Sequence, residues 1–379
     1  MGMERIPGVF VEEHSGEGKL TVSVGPQHPG SGHFRIIVTL DGDVISEAVP
    51  DPGFVHRGAE KMSEYRSYIQ NIPHLERPVI LDSTGILFPY TLAVEDLLGL
   101  ADKVPERAKY IRMLMAEFNR IISHEYFLAI EGIFLGHSTQ FIWSTGDREA
   151  FMDLAASLSG ARVTFSYLVP GGVRTDTPAG FEERTLKACA YMEERLKDYR
   201  RMLFDNPFMK MRMEGVGVIS GTDAVRYGLV GPTARASGVN TDVRRDEPYS
   251  LYDTIDFQVP IRKEGDDMAR VLLRLDEIEQ SCQIIRQALK KMQLGPVKFA
   301  TKGQMRGRVG EVYARTEAAR GMMSFHIISD GLPEPYRVKI DTPSNRNLAI
   351  MPKLFKGLHL ADLPVTFQSL DYWPVESDR

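Results

Sequence analysis

Between Asp266 and Met292, apolar residues recur every three or four positions: Met268, Val271, Leu272, Leu275, Ile278, Cys282, Ile285 and Leu289. That spacing places all eight on one face of an α-helix. A helix of that extent is about 40 Å long, longer than a small domain is wide. Its apolar stripe needs other helices alongside it, so a helical bundle is the fold to expect. Gly295-Pro296 marks the end of the run, because neither residue continues a helix.

A chain of 379 residues exceeds what one hydrophobic core usually serves, so more than one packed subregion is expected. Lys and Arg total 46 against 51 Asp and Glu, a net charge of −5. That balance gives no electrostatic reason to expect nucleic acid as a partner. No run of about 18 apolar residues occurs, so no membrane-spanning helix is expected. Met1 to Val11 lacks the apolar core of a signal peptide. Any link to a membrane must then run through partner chains. The only cysteines are Cys189 and Cys282. They suit buried positions in a reducing compartment and cannot supply four thiolates to an iron–sulfur cluster.

Three regions follow from the local patterns: a β-rich region over 1–75, a helical bundle over 76–310 and an α+β region over 311–379 that packs back on the bundle. Phe34–Leu40 and Asp43–Val49 flank Asp41-Gly42 and predict a hairpin, with Leu20–Val24 as a neighbouring strand. Helices dominate from about Pro89 to Asp205. Ile111, Leu114, Met115, Phe118, Ile121 and Ile122 mark one, which starts near Pro105. A further helix is predicted from Thr177 through Arg201. The stretch 215–260 is dense in Gly, Pro, Asp and Arg and is expected to be a long loop, either functional or a surface excursion. Met322–Ile328 and Tyr336–Ile340 are predicted strands. The last eleven residues, from Ser369, are apolar for a free tail.

An ordered set of blocks then narrows the reading. It begins with Gly25-Pro-Gln-His-Pro29, Gly53-Phe-Val-His-Arg-Gly-Ala-Glu-Lys61, Tyr68-Ile-Gln-Asn-Ile72 and Glu76-Arg77. It continues with Arg235-Ala-Ser-Gly-Val-Asn-Thr-Asp-Val-Arg244, Thr316-Glu-Ala-Ala-Arg-Gly321 and Pro335-Tyr-Arg-Val-Lys339. Ser369-Leu-Asp371 and Asp378-Arg379 close it. From about Val22 to Arg379 the chain resembles the 49-kilodalton, D-type subunits of NADH:quinone oxidoreductase and their archaeal relatives. Within that family it looks most like the D-type subunit of the dehydrogenase that oxidises the deazaflavin F420H2.

The resemblance implies an α+β fold: mainly an α-helical bundle with small N- and C-terminal β elements, shared with the large subunit of nickel–iron hydrogenases. It also implies a function as the peripheral core subunit of a membrane-bound, proton-translocating oxidoreductase. Partners would be a small [4Fe–4S] subunit, a 30-kilodalton C-type subunit, a ferredoxin-like I-type subunit and an H-type membrane subunit. The complex would lie on the cytoplasmic side of the cell membrane. The donor would be F420H2 or NAD(P)H and the acceptor a quinone or methanophenazine. The resemblance implies that this chain alone binds no cofactor, and the absence of a Walker A sequence, of a Rossmann glycine fingerprint and of Gly-x-Ser-x-Gly predicts neither a nucleotide site nor a nucleophilic enzyme.

Two other functions compete with this one: a nickel–iron hydrogenase and a redox-inactive scaffold. The hydrogenase metal is held by two Cys-x-x-Cys pairs, because soft sulfur suits such a centre. The positions corresponding to those thiolates here are Val79 and Asp82, after Glu76-Arg77, and Trp373 and Glu376, after Asp371. All four thiolates are missing, so no metal is expected.

Reducing a quinone takes two electrons and two protons, with proton donors in hydrogen-bond reach of the ring heteroatoms. His33 is the family's proton-donor candidate, displaced by one position in Pro29-Gly-Ser-Gly-His33; its alternative role is an ordinary loop histidine. His28 lies in the matching block and is assigned to acceptor binding. The family's tyrosine falls at Ile80, and the acid that pairs with the family histidine falls at Phe134. These losses favour an acceptor with ring nitrogens, such as methanophenazine. Asp82 is a second catalytic candidate, because a carboxylate in an apolar cavity has a raised pKa. Arg77 is expected near the partner subunit's cluster.

Overall fold

The computed structural model describes residues 9–13, 18–27, 32–300 and 304–379. Its N-terminal part is an antiparallel sheet of β1 (Val9–Glu13), β2 (Lys19–Val24), β3 (Arg35–Asp41) and β4 (Val44–Asp51), in chain order. The predicted hairpin is present, with its turn one residue later than expected. Asp41 pairs with Val44, and Gly42 takes the left-handed φ of 64° that the two-residue turn needs. Alternation puts Val22, Ile36, Val38, Leu40 and Ile45 on a buried face. There they form a core with Leu354, Phe355, Phe367 and Leu370 from the C-terminal segment.

Five long helices follow: α1 (Ser83–Leu97), α2 (Glu106–Phe134), α3 (Ser138–Ser159), α4 (Phe181–Phe204) and α5 (Asp267–Lys291). Helices α2 to α5 pack as a ring of neighbours, α2 on α3, α3 on α4, α4 on α5 and α5 back on α2. All eight apolar residues that announced α5 are buried, each contributing about 2 kcal/mol to this core. Asp266 caps the helix by accepting from Ala269 N at 2.8 Å.

Two helix starts differ from expectation. Helix α1 begins at Ser83, ahead of Pro89, which lies inside it. The Asp82 cap and the buried Ile86, Leu87, Tyr90 and Val94 offset a proline cost of about 3 kcal/mol. Helix α4 begins at Phe181, not Thr177, because Gly180 sits at φ 72° and breaks the helical path.

The C-terminal sheet holds β5 (Gly310–Ala318), β6 (Gly321–Ser329) and β7 (Arg337–Asp341), antiparallel with β6 in the middle. Strands β6 and β7 match the predicted pair, whereas β5 was not anticipated. Its burial alternates only weakly, since it is covered by α1 on part of one face and exposed near Gly310.

The stretch 215–260 is not the expected loop. It holds short helices at Gly221–Arg226, Gly231–Arg235 and Val243–Asp246 and a 3-10 turn at Tyr252–Thr254. Nor is it a surface excursion, because Arg235, Asp242, Arg244 and Tyr252 are buried. Their polar side chains, which suggested solvent, are spent on one another and on the bundle. The tail is also docked: Leu370, Tyr372, Glu376, Ser377 and Asp378 are buried. Asp378 Oδ2 accepts from Gly53 N at 2.9 Å and Val55 N at 3.1 Å, and His56 Nδ1 donates to the Asp378 carbonyl at 2.5 Å.

Candidate active site

The segment Arg77–Asp82 forms a 3-10 turn that packs against the last short helix, Pro374–Asp378. This brings together the two sequence ends that carry Val79, Asp82, Trp373 and Glu376. Val79 is buried in apolar surroundings. Asp82 caps α1 by accepting from Gly85 N at 3.0 Å and uses its other oxygen to accept from Ala319 N at 2.7 Å. Burial raises the Asp82 carboxyl, while those N–H groups and the nearby Arg320 and Arg120 guanidinium groups hold it down.

Arg320 stands at the centre of this group, in the turn between β5 and β6. Gly231 abuts that turn so closely that a Cβ there would lie 2.2 Å from the Arg320 carbonyl oxygen. Arg320 Nε lies 3.3 Å from Asp371 Oδ1 and Nη1 lies 3.7 Å from Glu376 Oε2. Its guanidinium carbon sits 5.7 Å from the Trp373 ring centroid. Burial pushes the Glu376 carboxyl up to about 7; Arg320 opposes this, while Asp82 and Asp371 add to it. Glu376 Oε1 accepts from Ser344 N at 3.1 Å.

Arg320 and Trp373 line a cleft of about 190 Å³, walled also by Tyr126, Ile130, Phe134 and Phe367. Gly32, the neighbour of His33, reaches its rim. The structure therefore gathers Phe134, Trp373 and the residue before His33 around one hollow. His33 itself is exposed, with Nδ1 2.5 Å from Gln27 Nε2. Arg77 is exposed; burial raises the neighbouring Glu76 carboxyl, with the Ser166 hydrogen bonds and the Arg77 charge opposing. His28 and the Ile80 side chain lie outside the described residues.

Beneath the cleft runs a buried ionic network. Arg235 donates to Glu277 Oε1 from Nε and Nη2, at 3.0 and 2.7 Å, and from Nη1 to Glu317 Oε1 at 2.6 Å. Arg244 is forked onto Asp242, at 3.0 and 2.7 Å, and reaches Glu117 at 3.1 Å. His124 Nε2 donates to Glu277 Oε2 at 2.9 Å. Burial lowers the pKa of His124, although Glu277 opposes this. These bonds tie α2, α5, the block 235–244 and the end of β5 into one floor.

Arg320 and Asp371 were not singled out from sequence as site residues. Both lie in the blocks that carry the family resemblance, but no spacing rule connects a β-turn arginine to a carboxylate near the C-terminus. Only the docking of the tail joins them.

The α+β bundle and the placement of the sequence blocks around this cleft fit the class of 49-kilodalton-type large subunits that those blocks resemble. A solved structure described as that of the membrane-bound sulfane sulfur reductase, an archaeal respiratory membrane complex, contains a chain with a TM-score of 0.91 and 38% sequence identity; the match covers 95% of this chain and 98% of that one. The D-type subunit of the NADH-quinone oxidoreductase of Desulforamulus reducens is 40% identical over 351 residues, 92% of this chain and 95% of its own length. Its counterpart from Clostridium beijerinckii is 39% identical over 362 residues, 95% of this chain and 97% of its own. The family model for the 49-kilodalton subunit of respiratory-chain NADH dehydrogenase matches residues 135–308 and 298–379. The chain belongs to that 49-kilodalton subunit family.

Proposed function

We propose that this chain is the peripheral core subunit of a membrane-bound, proton-translocating oxidoreductase, and that a membrane carrier, a quinone or methanophenazine, is reduced in the cleft beside Arg320 and Trp373. Electrons come from a [4Fe–4S] cluster of a small partner subunit, near Arg77, and reach that cluster from NADH or F420H2 oxidised elsewhere in the complex. His33 and Asp82 handle the protons, with His28, Ile80 and Phe134 around the ring. C-type, ferredoxin-like and H-type membrane subunits complete the assembly on the cytoplasmic face. No described helix is long and apolar enough to cross a membrane, so in this reading the other chains provide the anchor. The observation that carries the reading is family membership along nearly the whole chain, joined to an aromatic cleft walled by Trp373, one of the four vacated ligand positions, and by Arg320, which pairs with Glu376, another of them.

Purification of the complex through a tag on this chain is expected to bring down a small iron–sulfur subunit and a polytopic membrane subunit. The His33→Ala complex should retain the cluster signal and lose most carrier reduction. Full carrier reduction in both His33→Ala and Ile80→Tyr complexes would remove the site assignment.

The solved sulfane sulfur reductase favours a second reading, in which a polysulfide takes the place of the carrier in the same cleft. Comparing sulfide production with quinone reduction by the same purified complex separates the two.

A further inference from the structure

The Arg320 guanidinium is buried, 3% exposed, and packed among three carboxylates, yet its two terminal nitrogens have no hydrogen-bond partner. Its approaches to Glu376 and Asp371 are ion pairs at 3.3 to 3.7 Å, and its one bond to the chain is from Nε to the Asp371 carbonyl at 3.1 Å. Trp373 Nε1 is likewise buried without a partner. A buried donor left unpaired costs about 1–3 kcal/mol, and more when it is charged. Natural structures accept that cost mainly where something else completes the bond. Both side chains line the same cleft, whose other walls include Tyr126, Phe134 and Phe367 together with Gln368 and the Asp371 carboxylate that pairs with Arg320.

We infer that Arg320 and Trp373 are the hydrogen-bond donors that hold the heteroatom of a planar aromatic electron carrier in this cleft. This rests on the function proposed above and names its binding chemistry. The aromatic walls select a flat ring, because stacked and edge-on ring contacts add about 0.5–1.5 kcal/mol beyond burial. The guanidinium selects an acceptor that becomes negative on reduction. As the ring takes two electrons from the partner subunit's cluster, the carbonyl oxygen or ring nitrogen gains negative charge. Arg320 keeps all its protons and stabilises that charge until two protons arrive from titratable groups, leaving the quinol or dihydrophenazine. A charge-assisted bond of this kind is worth more in a buried site than in water.

The test uses the intact membrane complex and a short-chain naphthoquinone as the probe. Arg320→Lys keeps the charge but not the fork, and Trp373→Phe keeps the ring but not the N–H. Neither change leaves the surrounding carboxylates without a cation. We expect Arg320→Lys to lower kcat/KM for the naphthoquinone about 10- to 100-fold and Trp373→Phe about 3- to 10-fold, the latter mostly through KM. Reduction of the partner's cluster by the donor should be unchanged in both, a readout that a general packing defect would disturb. Unchanged KM and kcat in both variants, with an active wild-type complex, would overturn this inference alone. A wild-type complex that reduces its cluster but no quinone or phenazine would overturn the function proposed above and this inference with it.

Discussion

Glu376 shows how one substitution converts a ligand position into a titratable one. Its carboxyl is pushed up to about 7 by burial, with Arg320 and the Ser344 N–H opposing. In an unfolded chain a glutamate titrates near 4.3. Because the folded value is the higher, the protonated form is favoured in the native state. Stability from this group is complete below the unfolded value and declines as pH rises through 7. Across that window the wild type should lose up to about 3 kcal/mol relative to Glu376→Gln, which cannot ionise. Thermal unfolding of both proteins at pH 5 and pH 8 measures it; a gap that does not change with pH would mean the carboxyl is already ionised at pH 5.

At the scale of elements, the segment 235–244 acts as a clamp. Glu277 on α5 holds Arg235 and His124 together, and the arginine first of all keeps its carboxyl well below the usual range despite burial. Here the sign is reversed. The ionised form is favoured in the native state, so the stability from Glu277 is present above its unfolded pKa and is lost as pH falls. Glu277→Gln removes the negative partner of a fully buried arginine. It is expected to cost about 3–5 kcal/mol at pH 7, with a smaller deficit at pH 3, readable by denaturant titration at both values. A loss below about 1 kcal/mol at pH 7 would show that the network positions the floor without stabilising it.

Considered as a whole, the molecule buries part of its charge in the bundle and exposes a set of large apolar side chains. Tyr65 is 74% exposed and Tyr336 65%, and Phe54, Met62, Ile69 and Leu332 are exposed as well. Tyr68 N donates to Pro333 O at 3.4 Å, and Arg337 pairs with Glu64 at 3.0 Å. The segments around Tyr65 and Tyr336 therefore share one face. Patches of this kind mark contacts with other chains, and Arg77 lies only a short segment away. Replacing Tyr65 and Tyr336 together by Ser should leave the unfolding temperature within a few degrees and reduce recovery of partner subunits in a tag purification. Unchanged recovery would place the interface elsewhere.

The legible part of this protein was its periodic part. The eight apolar residues of α5, the β3–β4 hairpin, strands β6 and β7 and the family blocks all express a local rule: a repeat of 3.6, a repeat of two, a turn that needs a glycine, or a run of residues read in order. The missing thiolates were equally plain, since the absence of cysteine at Val79, Asp82, Trp373 and Glu376 is a fact of composition. What tertiary structure alone decided was what took their place. Arg320, Asp371 and the polar residues of 235–244 look like surface text, because charged side chains in short, aperiodic segments are indistinguishable from solvated ones until their partners are known. Most of those partners lie far away in sequence: Glu277 is 42 residues from Arg235, Glu117 is 127 from Arg244, and Glu376 reaches Arg320 from the C-terminal tail. Ionic and hydrogen-bond pairing depends on distance in space, and no sequence period records that.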